Sequence, residues 1–101
     1  MTKDYVAILT EAFNAAAAAP RERGIGCGRI YVSVTSEHAK GIAKAAKVLG
    51  KIYQKHSYYG TSNALYVGYD NCDGRALAQG TAVVKVLKAH DISCYRDECG
   101  D

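Results

Sequence analysis

Tryptophan is absent, phenylalanine and methionine occur once each, and the single proline is Pro20. So little proline, with ten glycines in 101 residues, excludes a proline-rich linker and a collagen-like repeat. No apolar run approaches the roughly 20 residues of a membrane-spanning helix. Ala15 to Ala19 before Pro20 could pass for the end of a secretion signal, but Asp4 and Glu11 fall inside what would be its apolar part, and a cytoplasmic location is the expectation. Cys27, Cys72, Cys94 and Cys99 contain no Cys-x-x-Cys pair, so the expectation is reduced thiols, no metal and no cofactor. The glycines at 24, 26 and 28 precede a strand-like segment, whereas a dinucleotide fingerprint joins a strand to a helix. Asp70, Asp73 and Gly74 do not have calcium-loop spacing, and His38, His56 and His90 are scattered. No nucleophile, base and orienting group can be assembled, which argues against an enzyme.

What is present is ordinary globular composition, 49% hydrophobic and 23% charged, in a length that suits one domain. Tyr5, Leu9, Ala12, Phe13 and Ala16 recur at helical spacing, predicting a helix within residues 1–19, with Thr2 as its cap and Pro20 as its stop. Residues 20–28 read as a flexible glycine-containing loop. From Arg29 to Thr35 the chain alternates, placing Ile30, Val32 and Val34 on one face and Arg29, Tyr31 and Ser33 on the other. A helix over 36–49 follows, with Ala39, Ile42, Ala43, Ala46 and Leu49 as its apolar positions and Gly50 ending it. A hairpin comes next, 51–58 returning through 64–70, with Leu65, Val67 and Tyr69 on one face and Tyr66 and Gly68 on the other. Asp73 is placed to cap a helix over 75–89, in which Gly80 permits close approach to a sheet. A short strand, 92–96, and a fraying acidic tail, 97–101, complete the chain. The expected class is α+β, a ferredoxin-like βαββαβ core over 29–96 with two helices on one face of a four-stranded antiparallel sheet, preceded by an extra helix.

Charge is uneven. Residues 29–70 hold six basic groups against Glu37 and Asp70, a local excess of +4 within a net +3. Lys40, Lys44 and Lys47 share one helix face. On the sheet face away from the two core helices the alternation would expose Arg29, Tyr31, Tyr66 and Tyr95, together with Lys51, Tyr53 and Lys55. Tyrosines among cations suit base stacking and phosphate neutralisation. The alternative is that the first helix covers this face, burying Tyr5, Leu9 and Phe13 against Tyr31 and Tyr66, or that it serves a homodimer.

Ile30-Tyr31-Val32 and Tyr66-Val67-Gly68-Tyr69 resemble parts of the first- and third-strand signatures of the RNA recognition motif family, although Ser62, Asn63 and Ala64 replace the basic and glycine residues that open the latter. The resemblance implies that Tyr31 and Tyr66 stack bases. Single-stranded nucleic acid is therefore the first expected partner. The second is the acidic protein surface of a nucleoprotein complex, which a small phage or mobile-element inhibitor of the anti-CRISPR kind would occlude.

Overall fold

In a computed structural model of the chain, the described residues are 3–20, 28–56, 62–71 and 74–99. The elements run α1 (Tyr5–Ala18), β1 (Gly28–Val34), α2 (Ser36–Val48), β2 (Tyr53–His56), β3 (Ser62–Asp70), α3 (Arg75–Ala89) and β4 (Cys94–Cys99). β1 lies between β3 and β4, antiparallel to both, and the four-residue β2 adds to the outer edge of β3, giving the order β2-β3-β1-β4.

The helix layer corrects the expected ferredoxin-like arrangement, because three helices form it. α1 lies with α2 and α3 on the side of the sheet that Val32 and Leu65 face, and its Ile8, Leu9, Ala12 and Ala16 join them in the main core with Ile42, Val83 and Leu87. It does not cover the opposite face, as the alternative reading had it. α1 packs mainly on α3, and its buried Ala12 and Ala16 are small enough for close packing in this layer.

Polar contacts lock both seams. The Tyr5 hydroxyl is hydrogen-bonded to His38 Nδ1 at 2.8 Å, and the Tyr5 ring lies directly on Gly41, where any Cβ would strike it. On the α3 side, His90 Nε2 donates to Glu11 Oε1 at 3.1 Å. His38 is thus buried, and the buried side of α2 is His38, Ile42, Ala45 and Ala46: Ile42 and Ala46 are where the repeat put them, while the expected Ala39, Ala43 and Leu49 are only half-buried.

The helix ends follow local rules with some substitutions. Asp4, not Thr2, caps α1 by accepting from the Ala7 N–H at 3.1 Å. α2 closes in a Schellman motif, with Lys51 N donating to Ala46 O, Gly50 N donating to Lys47 O, and Gly50 at φ 70°. α3 ends the same way, Ile92 N to Leu87 O and Asp91 N to Lys88 O, but with Asp91 in the left-handed position at φ 61°. At the start of α3 the buried Asp70 reaches back from β3 and accepts from Gly74 N at 3.2 Å and Leu77 N at 3.0 Å. Asp73, expected in that role, lies outside the described residues, as do Cys27, Cys72 and most of the 20–28 loop. The expected tail does not begin at 97, since β4 pairs with β1 as far as Arg29↔Cys99.

A β-bulge in β3 is the feature that most affects the surface. Ile30 pairs with Gly68, but Tyr31 pairs with Tyr66, so Val67 is the extra residue. The residues beyond it change face. A Cβ on Gly68 would meet Ala76 and Gln79 of α3, so Gly68 faces the helices and Tyr69 points away, both opposite to the simple alternation.

Candidate interaction surfaces

The sheet face away from the helices is built by Arg29, Tyr31 and Ser33 of β1, Tyr66 and Tyr69 of β3, and Tyr95 and Asp97 of β4. Its centre is closed. Tyr31 is only 1% exposed, Ser33 and Ala64 are buried, and the Tyr31 and Tyr66 rings meet edge-on with centroids 5.4 Å apart. The Ser33 hydroxyl is buried with no hydrogen-bond partner. Tyr31, expected as a stacking residue, therefore presents no free ring, and Tyr66 is half-buried beside it.

The aromatic surface that remains is Tyr95, 59% exposed, and Tyr69, 48% exposed. Tyr69 stands opposite Arg29 and Tyr95 opposite Ser33, four residues along β1 and so about 13 Å apart in the strand direction. They flank the closed centre and do not form one continuous platform. Tyr53 pairs with Leu65 and packs into the core on the helix side, where burial pushes its phenol pKa up, so it leaves the set of surface tyrosines. Lys55 lies in β2 with its side chain outside the described residues.

The lysines are on a different surface. Lys40, Lys44 and Lys47 are exposed on the outer side of α2, opposite its buried face. Glu37, on the first turn, is the acidic residue of that helix. Beside these lysines Val48 is 72% exposed, and past the Gly50 turn Ile52 is 49% exposed. Lys51 sits between them in sequence with its ammonium 4.4 Å from the centroid of the Phe13 ring. Val48, Ile52 and Tyr69 were missed as surface residues. Val48 lies outside the apolar repeat of its helix, which was the available signal, whereas alternation sets Ile52 on the face opposite Lys51 and Tyr53, and the bulge that exposes Tyr69 leaves no signal.

Among the described residues no group of three or more His, Cys, Asp and Glu side chains could hold a metal ion, and no helix is long and apolar enough to cross a membrane. Cys94 is buried against α3, its Sγ 3.7 Å from the Val84 carbonyl oxygen, and burial raises its thiol pKa while Lys88 opposes the shift. Comparison with protein-family models, with curated proteins and with solved structures finds no match.

Proposed function

We propose that this chain is a non-enzymatic binding module that docks through the outer face of α2 onto an acidic protein surface, in the manner of a small anti-CRISPR-like inhibitor that occludes a nucleoprotein complex. The observation that carries this reading is the mixture on that face, Lys40, Lys44 and Lys47 with the largely exposed Val48 beside them. Lysines alone suit any anion. An exposed valine among them gains nothing against phosphate, but it can be desolvated at the centre of a protein interface while the lysines form a charged rim. Clustered cations of this kind chiefly accelerate encounter with an acidic partner. A second reading, single-stranded nucleic acid on the sheet, is favoured by the exposed Arg29, Tyr69 and Tyr95, although the closed centre leaves little continuous stacking surface.

The test compares the protein with its Lys44→Glu/Lys47→Glu variant. Both are immobilised and challenged with nuclease-treated cell lysate, and both are titrated with a labelled single-stranded oligonucleotide. A nuclease-resistant protein partner retained by the parent and lost by the variant, with weak oligonucleotide binding by both, is the expected result. Micromolar or tighter oligonucleotide binding that Tyr69→Ala or Tyr95→Ala weakens would reject docking on protein in favour of the second reading.

A further inference from the structure

A cavity of about 360 Å³ opens where the last turn of α1 meets the connection from α2 to β2 and the bulge of β3. Three local features leave it unfilled. The last turn of α1 presents only the small residues Ala16 and Ala17 there. The chain turns away at Gly50, where an added Cβ would meet nothing within 4 Å. The bulge carries Val67 out of regular alternation and into the lining. Phe13 and Ile52 add to the apolar part, Tyr66 also lines the cavity, and Ile52 is half-exposed despite standing beside a core strand.

The polar part of the lining includes Lys51 and Gln79, and among the described residues no carboxylate belongs to it. The contact with the Phe13 ring holds the Lys51 ammonium at the cavity. Lys51 is the one cation among the described lining residues, and its ammonium over an apolar hollow calls for a ligand with one anionic group and a flat or branched apolar body. The volume lies at the low end of the roughly 300–1,000 Å³ typical of ligand sites, which suits a one-ring acid better than a nucleotide. Binding such an acid would leave the ammonium between an aromatic face and a carboxylate, both of which attract it.

We propose that this cavity is a binding site for a small aromatic monocarboxylate, with the ring against Phe13, Ile52 and Val67 and the carboxylate on Lys51. The site does not use Lys40, Lys44 or Lys47, so its test is independent of docking through those lysines.

The test is an amide-resolved NMR titration with 3-phenylpropionate, using 3-phenylpropanamide as the uncharged control. Saturable shifts confined to the surroundings of Phe13, Lys51, Ile52 and Val67 are expected, with a dissociation constant of about 1 mM. The amide should bind about fivefold more weakly, because the ion pair at a half-open site contributes modestly. Lys51→Gln should abolish that difference. Ala17→Trp, at an exposed lining position, should fill the cavity and remove binding with little change in thermal unfolding. If Ala17→Trp perturbs the fold, Ile52→Asp serves instead and should also weaken the acid, since it places a like charge beside it. The site is refuted if neither compound gives saturable shifts, if acid and amide bind alike, or if the shifts lie elsewhere or persist in a folded cavity variant.

Discussion

Replacing Gly80 by alanine sets two effects of opposite sign against each other. Alanine inside a helix is favoured over glycine by about 1 kcal/mol, so α3 considered alone would be stabilised. In the folded protein, however, the new Cβ would stand 2.8 Å from Ile30 Cγ2 and 3.1 Å from Arg96 Cδ. Ile30 is fully buried in the central strand, and its branched side chain has few alternative rotamers. Arg96 is held as well, donating from Nη1 to Leu77 O at 3.2 Å and to Thr81 Oγ1 at 2.8 Å. Overpacking costs about 1–3 kcal/mol, and with both neighbours held the upper part of that range, about 2–3, applies here, so after the helix gain of about 1 kcal/mol the net expectation for Gly80→Ala is a loss of about 1–2 kcal/mol. In a domain of this size that lowers the melting temperature by roughly 5–15 °C. Urea and thermal denaturation followed by circular dichroism measure both quantities. The clash has a specific partner, so a double-mutant cycle identifies it: Ile30→Leu removes the Cγ2 methyl, and in that background Gly80→Ala should cost distinctly less. Unchanged or increased stability of the single variant, or equal costs in both backgrounds, would refute the reasoning.

Asp70→Ala leaves the buried Gly74 and Leu77 N–H groups without their carboxylate and should cost about 2–4 kcal/mol by urea denaturation. Asp91→Gly should stabilise by about 0.5–1 kcal/mol in the same assay, because glycine takes the φ 61° position without strain and an acid is removed from a helix C-terminus. Tyr31→Ala should lower stability by about 3–5 kcal/mol and change oligonucleotide binding little, since the ring is buried. The pKa values of Tyr53 and Cys94 are raised by burial in the folded state, so the unfolded chain gives up these protons first. Their contribution is complete below the ordinary thiol and phenol pKa values and is lost as pH rises through the folded ones. Urea midpoints should accordingly fall above about pH 8.5, and Cys94→Ala should remove the thiol part of that slope.

The helices α2 and α3 were legible because glycine punctuation and apolar repeats agree there: Gly50 ends one helix, and Gly80 marks the close approach of the other to the sheet. Strand positions before the bulge were legible from alternation, as with Ile30 and Val32. Alternation fails at Val67, because one inserted residue exchanges the faces of Gly68 and Tyr69 and no local composition announces it. The placement of α1 was hidden for a different reason. Its apolar stripe says that it packs, but the choice between the two sides of the sheet depends on Gly41 and Ala12 meeting partners far along the chain. For the candidate site, the lysines of α2 were readable from spacing alone. The burial of Tyr31 was not, because alternation assigns a face without saying whether that face is open.

The insertion of α1 into the helix layer also bears on how the chain reaches its folded state. Glu11 and His90 meet across 79 residues of sequence. Such a contact closes a long loop and is expected late in folding, after α3 exists to receive it. On the ribosome, α1 is made well before its principal partner, and the central strand β1 likewise waits for β4, which follows α3. A nascent chain halted before residue 75 lacks the α3 part of the seat for Leu9 and Ala12 and should remain open to proteases, whereas one carried past β4 can close cooperatively.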